Sequence, residues 1–263
     1  MTQVKAAVAR VWQGSGTTTK TMDTLTETRI TPDTRIGDIV AARPALARVF
    51  ESLGLDYCCG GKQPLGTACA RASLDVSMVV ALLEAAIEKP ADAKGGPDPA
   101  GMTLAELADH IEATHHAYVK AELPRLAEMA GRVAAKHSWR DPRLPEVYET
   151  VVGLAQEMFS HMHKEEQVLF PLVRQIEMGA SKDFHCGSIA NPIRQMEAEH
   201  ESAGAATARL RVLTNDFTPD NEACNTHRAL LSGLAGFEAD LHQHVHKENN
   251  ILFPRALELA GGA

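Results

Sequence analysis

Aromatic residues make up only 5% of this 263-residue chain, too few for sheets built on aromatic and β-branched cross-strand pairs. Ala, Leu, Glu, Lys and Arg dominate instead, and these favour packed helices. The expected fold class is all-α. No apolar run approaches the roughly 20 residues that cross a bilayer, so no membrane partner is expected. The opening MTQVKAAVARVWQGSG contains no continuous apolar segment ending in a small-residue cleavage site. Lys5, Arg10 and Lys20 precede the first acid, Asp23, a trait shared with organellar transit peptides, but the expected location is the cytoplasm. Basic residues form no stripe and the net charge is −8, which argues against nucleic acid as a partner. Cysteine is scarce and odd in number, five at positions 58, 59, 69, 186 and 224. That is no paired extracellular framework, and reduced thiols are expected.

What is present divides the chain. Residues 1–33 are polar and Thr-rich with no apolar period, and are expected to be a disordered leader. Residues 34–88 read as a small helical domain. GDIVAARPALARVFESLGLD gives two short helices broken at Pro44, and a longer one opens at Asp75, placed to cap it. Residues 89–101, KPADAKGGPDPAG, have the composition of a linker. From 102 to 260 the pattern predicts an antiparallel four-helix bundle. Thr103 and Glu106 form a capping box opening a helix to about Met129, with a kink at Pro124. Helices near 145–178, 191–214 and 221–258 follow.

The strongest signal is a duplication: HMHKEEQVLFP at 161–171 returns as HVHKENNILFP at 244–254. Each copy sets a His and a Glu at i and i+4, His161 with Glu165 and His244 with Glu248, on one helix face about 40° apart. Another helical histidine stands upstream of each, His116 by 45 residues and His200 by 44. One such pattern alone is often an intrahelical pair on a solvated face. Two copies at matched separations predict that four histidines and two glutamates meet at the bundle centre, where bundles build metal sites. With both Glu bridging, two ions each gain four protein ligands and keep open positions, a set that suits iron above manganese or zinc.

His115 and His116 lie about 100° apart on a helix. His116 is in phase with Val119, Leu123 and Ala130, and His115 with Leu104 and Ile111, so periodicity leaves the first-helix ligand open. Glu112, Glu157 and Asp240 each stand one turn before a candidate ligand and could receive its second N–H. Glu157 and Glu199 are the stronger candidates for that supporting role. Leu169, Phe170, Leu252 and Phe253 are expected in the core. His163, His242 and His246 fall off the ligand face and are expected at the surface. Cys58 and Cys59 adjoin a glycine pair that frees the backbone to expose them, for redox work or metal transfer. Cys69, Cys186 and Cys224 are isolated and expected to be inert.

DYCCGGKQ, HMHKEEQVLFP, MEAEHESAG and HKENNILFPRAL together resemble the Repair of Iron Centers di-iron family, over about residues 34–258. The resemblance implies a ScdA-like N-terminal domain, a hemerythrin-like C-terminal domain and an oxo-bridged pair of iron ions per chain. It carries the ligands onto His116, His161, Glu165, His200, His244 and Glu248, with His116 preferred because that ligand stands seven residues before a Leu-Pro pair, here Leu123-Pro124. The paired cysteines fall on Cys58 and Cys59. The implied role is repair of iron–sulfur proteins damaged by nitrosative or oxidative stress, by iron donation or by nitric oxide reduction at the di-iron site. Dioxygen binding or sensing is a third reading, set back because oxygen-carrying hemerythrins have a five-histidine, asymmetric pattern.

Overall fold

The computed structural model describes residues 29–88, 98–179 and 187–261. Residues 1–28 of the expected leader, 89–97 of the expected linker and Cys186 lie outside that range. Among the described residues no strand forms, Arg35 and Pro64 share an isolated bridge, and the fold is all-α.

The small domain has helices Ile36–Ala42, Ala47–Ser52, Leu65–Arg71 and Val76–Glu88. The break at Pro44 is a short 3-10 turn, because proline has no N–H for the helix ladder. Asp75 caps the last helix, its Oδ1 accepting from the Met78 N–H at 3.0 Å. Ile36, Phe50, Leu65 and Leu83 fill the core, and Ile30 joins them. The Gly66 N–H also donates to the Pro32 carbonyl at 2.8 Å. The folded chain therefore begins before Thr34. One apolar residue in a polar run has no period to reveal that.

The bundle's first helix opens at the Thr103–Glu106 capping box and runs Leu104–Ile111, through a π turn at Glu112–His116, into Ala117–His137. It passes through exposed Pro124 and beyond the expected end at Met129. The extension holds because Val133 and Ala134 keep the apolar period buried and Arg132 pairs with Glu128 one turn back. The second helix runs Leu144–Lys164, a π turn Glu165–Leu169, then Phe170–Glu177. The third is Ala190–Leu213. The fourth runs Asn225–Lys247, a π turn Glu248–Leu252, then Phe253–Ala260. It starts later than position 221 because Asp220 ties its carboxylate to the Glu222 N–H in a turn. Two of the π turns come just ahead of Pro171 and Pro254, where a missing N–H would disturb a regular α ladder.

The first helix packs on the second and fourth, and the second on the third. Leu123, Leu126, Met158, Leu210, Phe237 and Leu241 form one apolar plug, and Leu107, Ile111, Phe170, Ile193, Leu252 and Phe253 another. Along every helix the polar layer at 115–116, 161–165, 199–200 and 244–248 falls between these plugs. Leu169, Phe170, Leu252 and Phe253 are all buried.

The small domain docks directly on the bundle. Asn250 Nδ2 donates to the carbonyls of Tyr57 at 3.3 Å and Cys58 at 3.0 Å. A Cβ at Gly37 or Gly61 would stand 2.5 or 2.4 Å from Asn250 Oδ1, so only glycine admits this approach. Lys62 and Glu197 add an ion pair at 2.6 Å.

Candidate metal centre

The polar layer holds two groups of converging ligand atoms: His116, Glu165, His244 and Glu248, and His161, Glu165, His200 and Glu248. Both carboxylates belong to both groups. Glu248 presents Oε1 to His244 Nε2 at 3.1 Å and Oε2 to His200 Nε2 at 3.0 Å. Glu165 presents Oε2 to His116 Nε2 at 3.3 Å and His161 Nε2 at 3.2 Å. All six residues are buried. Three of the four helices bring their ligands through π turns, which widen the backbone at His116, Glu165 and Glu248. Such bulges recur at functional sites.

Protons are accounted for on the outer side of the rings. His161 Nδ1 donates to Glu199 Oε2 at 3.0 Å, and His116 Nδ1 donates to Glu166 Oε1 at 2.8 Å. His200 Nδ1 donates to Asn249 Oδ1 at 2.9 Å. A carboxylate or amide oxygen only accepts, so each Nδ1 carries the hydrogen and each Nε2 turns a lone pair inward. The Nε2 atoms of His161 and His200 face each other at 3.1 Å. His116 Nε2, both Glu165 oxygens and Glu248 Oε2 are buried without a hydrogen bond among the described residues. Lone pairs converging on lone pairs in a dry layer are unfavourable unless a cation sits among them. The donor set therefore fits metal ions, and imidazole with carboxylate fits iron. Without metal, protons take over part of that work. Burial pushes His161 down, but Glu165 and its neighbours more than offset this and lift it to about 9. Burial likewise pushes Glu248 up, yet His244 and His200 hold it well below the usual carboxylate range.

His115 is buried as well as His116. Both ring nitrogens of His115 are engaged elsewhere. Nδ1 donates to Asp240 Oδ1 at 2.8 Å, and Nε2 accepts from Lys247 Nζ at 2.6 Å. His116 is the one that joins the converging group.

The carboxylates one turn before the histidines behave otherwise than expected. Glu157 accepts from Ser202 Oγ at 3.1 Å, Glu112 from Arg174 at 2.8 Å, and Asp240 from His115. None of the three is the Nδ1 partner of a converging histidine. Glu199, by contrast, meets His161 from the neighbouring helix. Glu157 and Glu199 do share the lining of a cavity of about 510 Å³ that reaches His161. Glu166 and Asn249 were missed by the sequence reading. Their signal was in the repeat, where a polar residue follows each shared Glu.

Cys59 is half-buried, and Cys58, contrary to expectation, is not displayed at the surface. Cys58 is 6% exposed and packs into the bundle's apolar plug. The small domain docks through this loop, which is why its glycines serve close approach rather than exposure. Asp56 organises the loop, accepting from the Cys58 and Cys59 N–H groups at 3.0 Å, the Gly60 N–H at 2.9 Å and the Cys58 thiol at 3.1 Å. Asp56, Cys58 and Cys59 form a third group able to hold a metal ion. The hydrogen bond with Cys59, then burial and the Asp56 charge, push the Cys58 thiol well up. Both thiols line a cavity of about 600 Å³ between the domains, with Glu201, Arg211 and His242 on its far wall. Cys58, Cys59, Cys69 and Cys224 are all free. His163 is exposed and His242 half-buried. His246 is buried, its Nδ1 facing the Tyr57 carbonyl at 3.4 Å, because the small domain covers that face.

Among the described residues no helix is long and apolar enough to cross a membrane. Residues 81–256 match the hemerythrin HHE cation binding domain family, and residues 32–87 match ScdA_N, described as a domain of unknown function. The iron–sulfur cluster repair protein YtfE of Citrobacter koseri is 38% identical over 226 residues, covering 86% of this chain and 97% of that protein. Its namesakes in Escherichia coli and Escherichia fergusonii are 37% identical with the same coverage. With a buried His/Glu centre in one matched domain and a Cys-Cys loop in the other, the chain belongs to the family of the YtfE iron–sulfur cluster repair proteins.

Proposed function

We propose that this chain holds two iron ions in the bundle and serves the repair of damaged iron–sulfur proteins by giving up iron. The observation that carries this reading is the sharing of Glu165 and Glu248 between two four-residue groups. His116 and His244 would hold one ion, His161 and His200 the other, and the two carboxylates would bridge them. When bound, such a pair supplies one-electron chemistry and open coordination positions. The chain's own residues do the rest. The apolar plugs exclude water from above and below, and Glu166, Glu199 and Asn249 fix the ring orientations. Cys58 and Cys59 suit transient uptake of an ion leaving a nitrogen and oxygen site, once their protons are released. The free thiols fit a reducing compartment such as the cytoplasm.

The cavity at His161 and Glu199 favours a second reading, in which nitric oxide or dioxygen reaches the centre as a small ligand. One experiment separates the two. The full chain, loaded with ferrous iron under anaerobic conditions, is incubated with an apo iron–sulfur protein and sulfide. Cluster formation that consumes the chain's iron is the expected result. Retention of both irons, alongside sustained nitric oxide consumption with an artificial reductant, would replace iron donation with turnover.

A further inference from the structure

Three of the four converging histidines have their outer nitrogen anchored, and the fourth does not. Glu166 takes the Nδ1 hydrogen of His116, Glu199 that of His161 and Asn249 that of His200. His244 Nδ1 is buried with no hydrogen bond among the described residues. The carboxylate one turn before it, Asp240, is occupied by His115. His115 is itself pinned by Lys247 on its other nitrogen. Its ring lies parallel to that of His244, 2° apart in plane and with centroids at 5.3 Å. His244 is thus held by stacking alone on the side away from the shared carboxylates.

A partner on the outer nitrogen fixes the ring's tautomer and direction and raises its basicity, and its loss typically costs about 10–100-fold in metal affinity. We propose that the two metal positions are unequal, and that the ion held by His116 and His244 is the exchangeable one while that held by His161 and His200 is retained. This rests on the di-iron reading above and names which of its two ions is given up. The transfer is a ligand exchange: the acceptor's ligands replace the protein's on the ion, which leaves with its charge unchanged, protons take its place on the vacated nitrogen and carboxylate atoms, and nothing is oxidised or reduced.

The test is release of iron from the intact, ferrous-loaded chain to excess bipyridyl, followed optically without oxygen. Two phases of equal size are expected, one iron each, differing about 10-fold or more in rate. Glu199→Leu and Asn249→Leu each remove an anchor from the retained position, so either should accelerate the slow phase and leave the fast one in place. Glu166→Leu should accelerate the fast phase alone. Glu199 is partly exposed, so its variant reports even if the buried Asn249 change impairs folding. Release of both irons in a single phase from wild type, or acceleration of only the fast phase by Glu199→Leu, would overturn the proposal. Fewer than two irons bound before the chelator is added would instead refute the di-iron reading.

Discussion

Replacing Glu165 by Gln keeps the side chain's size and removes the charge that both metal groups share. Because Oε2 of Glu165 lies within reach of both His116 and His161, the change should weaken both ions together. Taking the upper loss found for mere supporting partners, about 100-fold, as a floor for a direct ligand, the effect on stability can be worked out. Metal at 100 times its dissociation constant stabilises a folded protein by about 2.7 kcal/mol per site, or about 5.4 kcal/mol for two. After a 100-fold loss each site contributes only about 0.4 kcal/mol, a net change of about 4.6 kcal/mol. For a domain of this size about 2–4 °C of melting temperature accompanies each kcal/mol. The iron-induced rise in melting temperature should therefore shrink by about 10–20 °C in the variant. Calorimetry with and without iron, each protein compared with its own metal-free form, measures this free of any change in the apo state. Iron per chain is counted alongside. One iron retained at wild-type affinity, with the shift only halved to about 5–10 °C, would refute bridging by Glu165.

Glu199→Leu should lower iron affinity about 10–100-fold by freeing the His161 ring, whereas Glu157→Gln, whose partner is Ser202, should leave it within about twofold; chelator competition compares them. The double change Cys58→Ser and Cys59→Ser should keep two irons by metal analysis, since neither thiol is in the His/Glu groups, and should abolish iron transfer to an apo iron–sulfur protein. Loss of bound iron in that variant would instead make the thiols part of the resident site. Asn250→Ala should release the small domain's grip on the bundle, raising hydrogen exchange at residues 57–61 by about 5–10-fold, the equivalent of about 1 kcal/mol for its lost hydrogen bonds; unchanged exchange would show that Asn250 does not hold the interface.

The four long helices of the bundle and the six converging residues were legible because each rests on sequence-local order, whereas the short helix Leu65–Arg71 of the small domain was not expected. A 3.6-residue period predicts which face is buried, and a repeat with matched spacing predicts that two hairpins present the same residues at the same level. The π turns were not legible as such, although Pro171 and Pro254 mark two of them, since the wider turn is a compromise between a missing N–H and the packing of Phe170 and Phe253. His115 and His116 show the limit well. Both are apolar-facing by phase, and only the position of Asp240 and Lys247 on the fourth helix decides which ring is diverted from the centre. The same holds for Glu157 and Glu199: sequence spacing favoured partners on the same helix, whereas the ring nitrogens are met from across the bundle. Cys58 looked exposed because glycines flank it. It is buried because those glycines admit Asn250 and the bundle's apolar end. Composition and period, being properties of neighbours along the chain, determined the fold class, the bundle and the ligand types. Which proton goes to which acceptor, and which thiol meets water, depends on residues 38 to 192 positions apart, and only the folded contacts decided it.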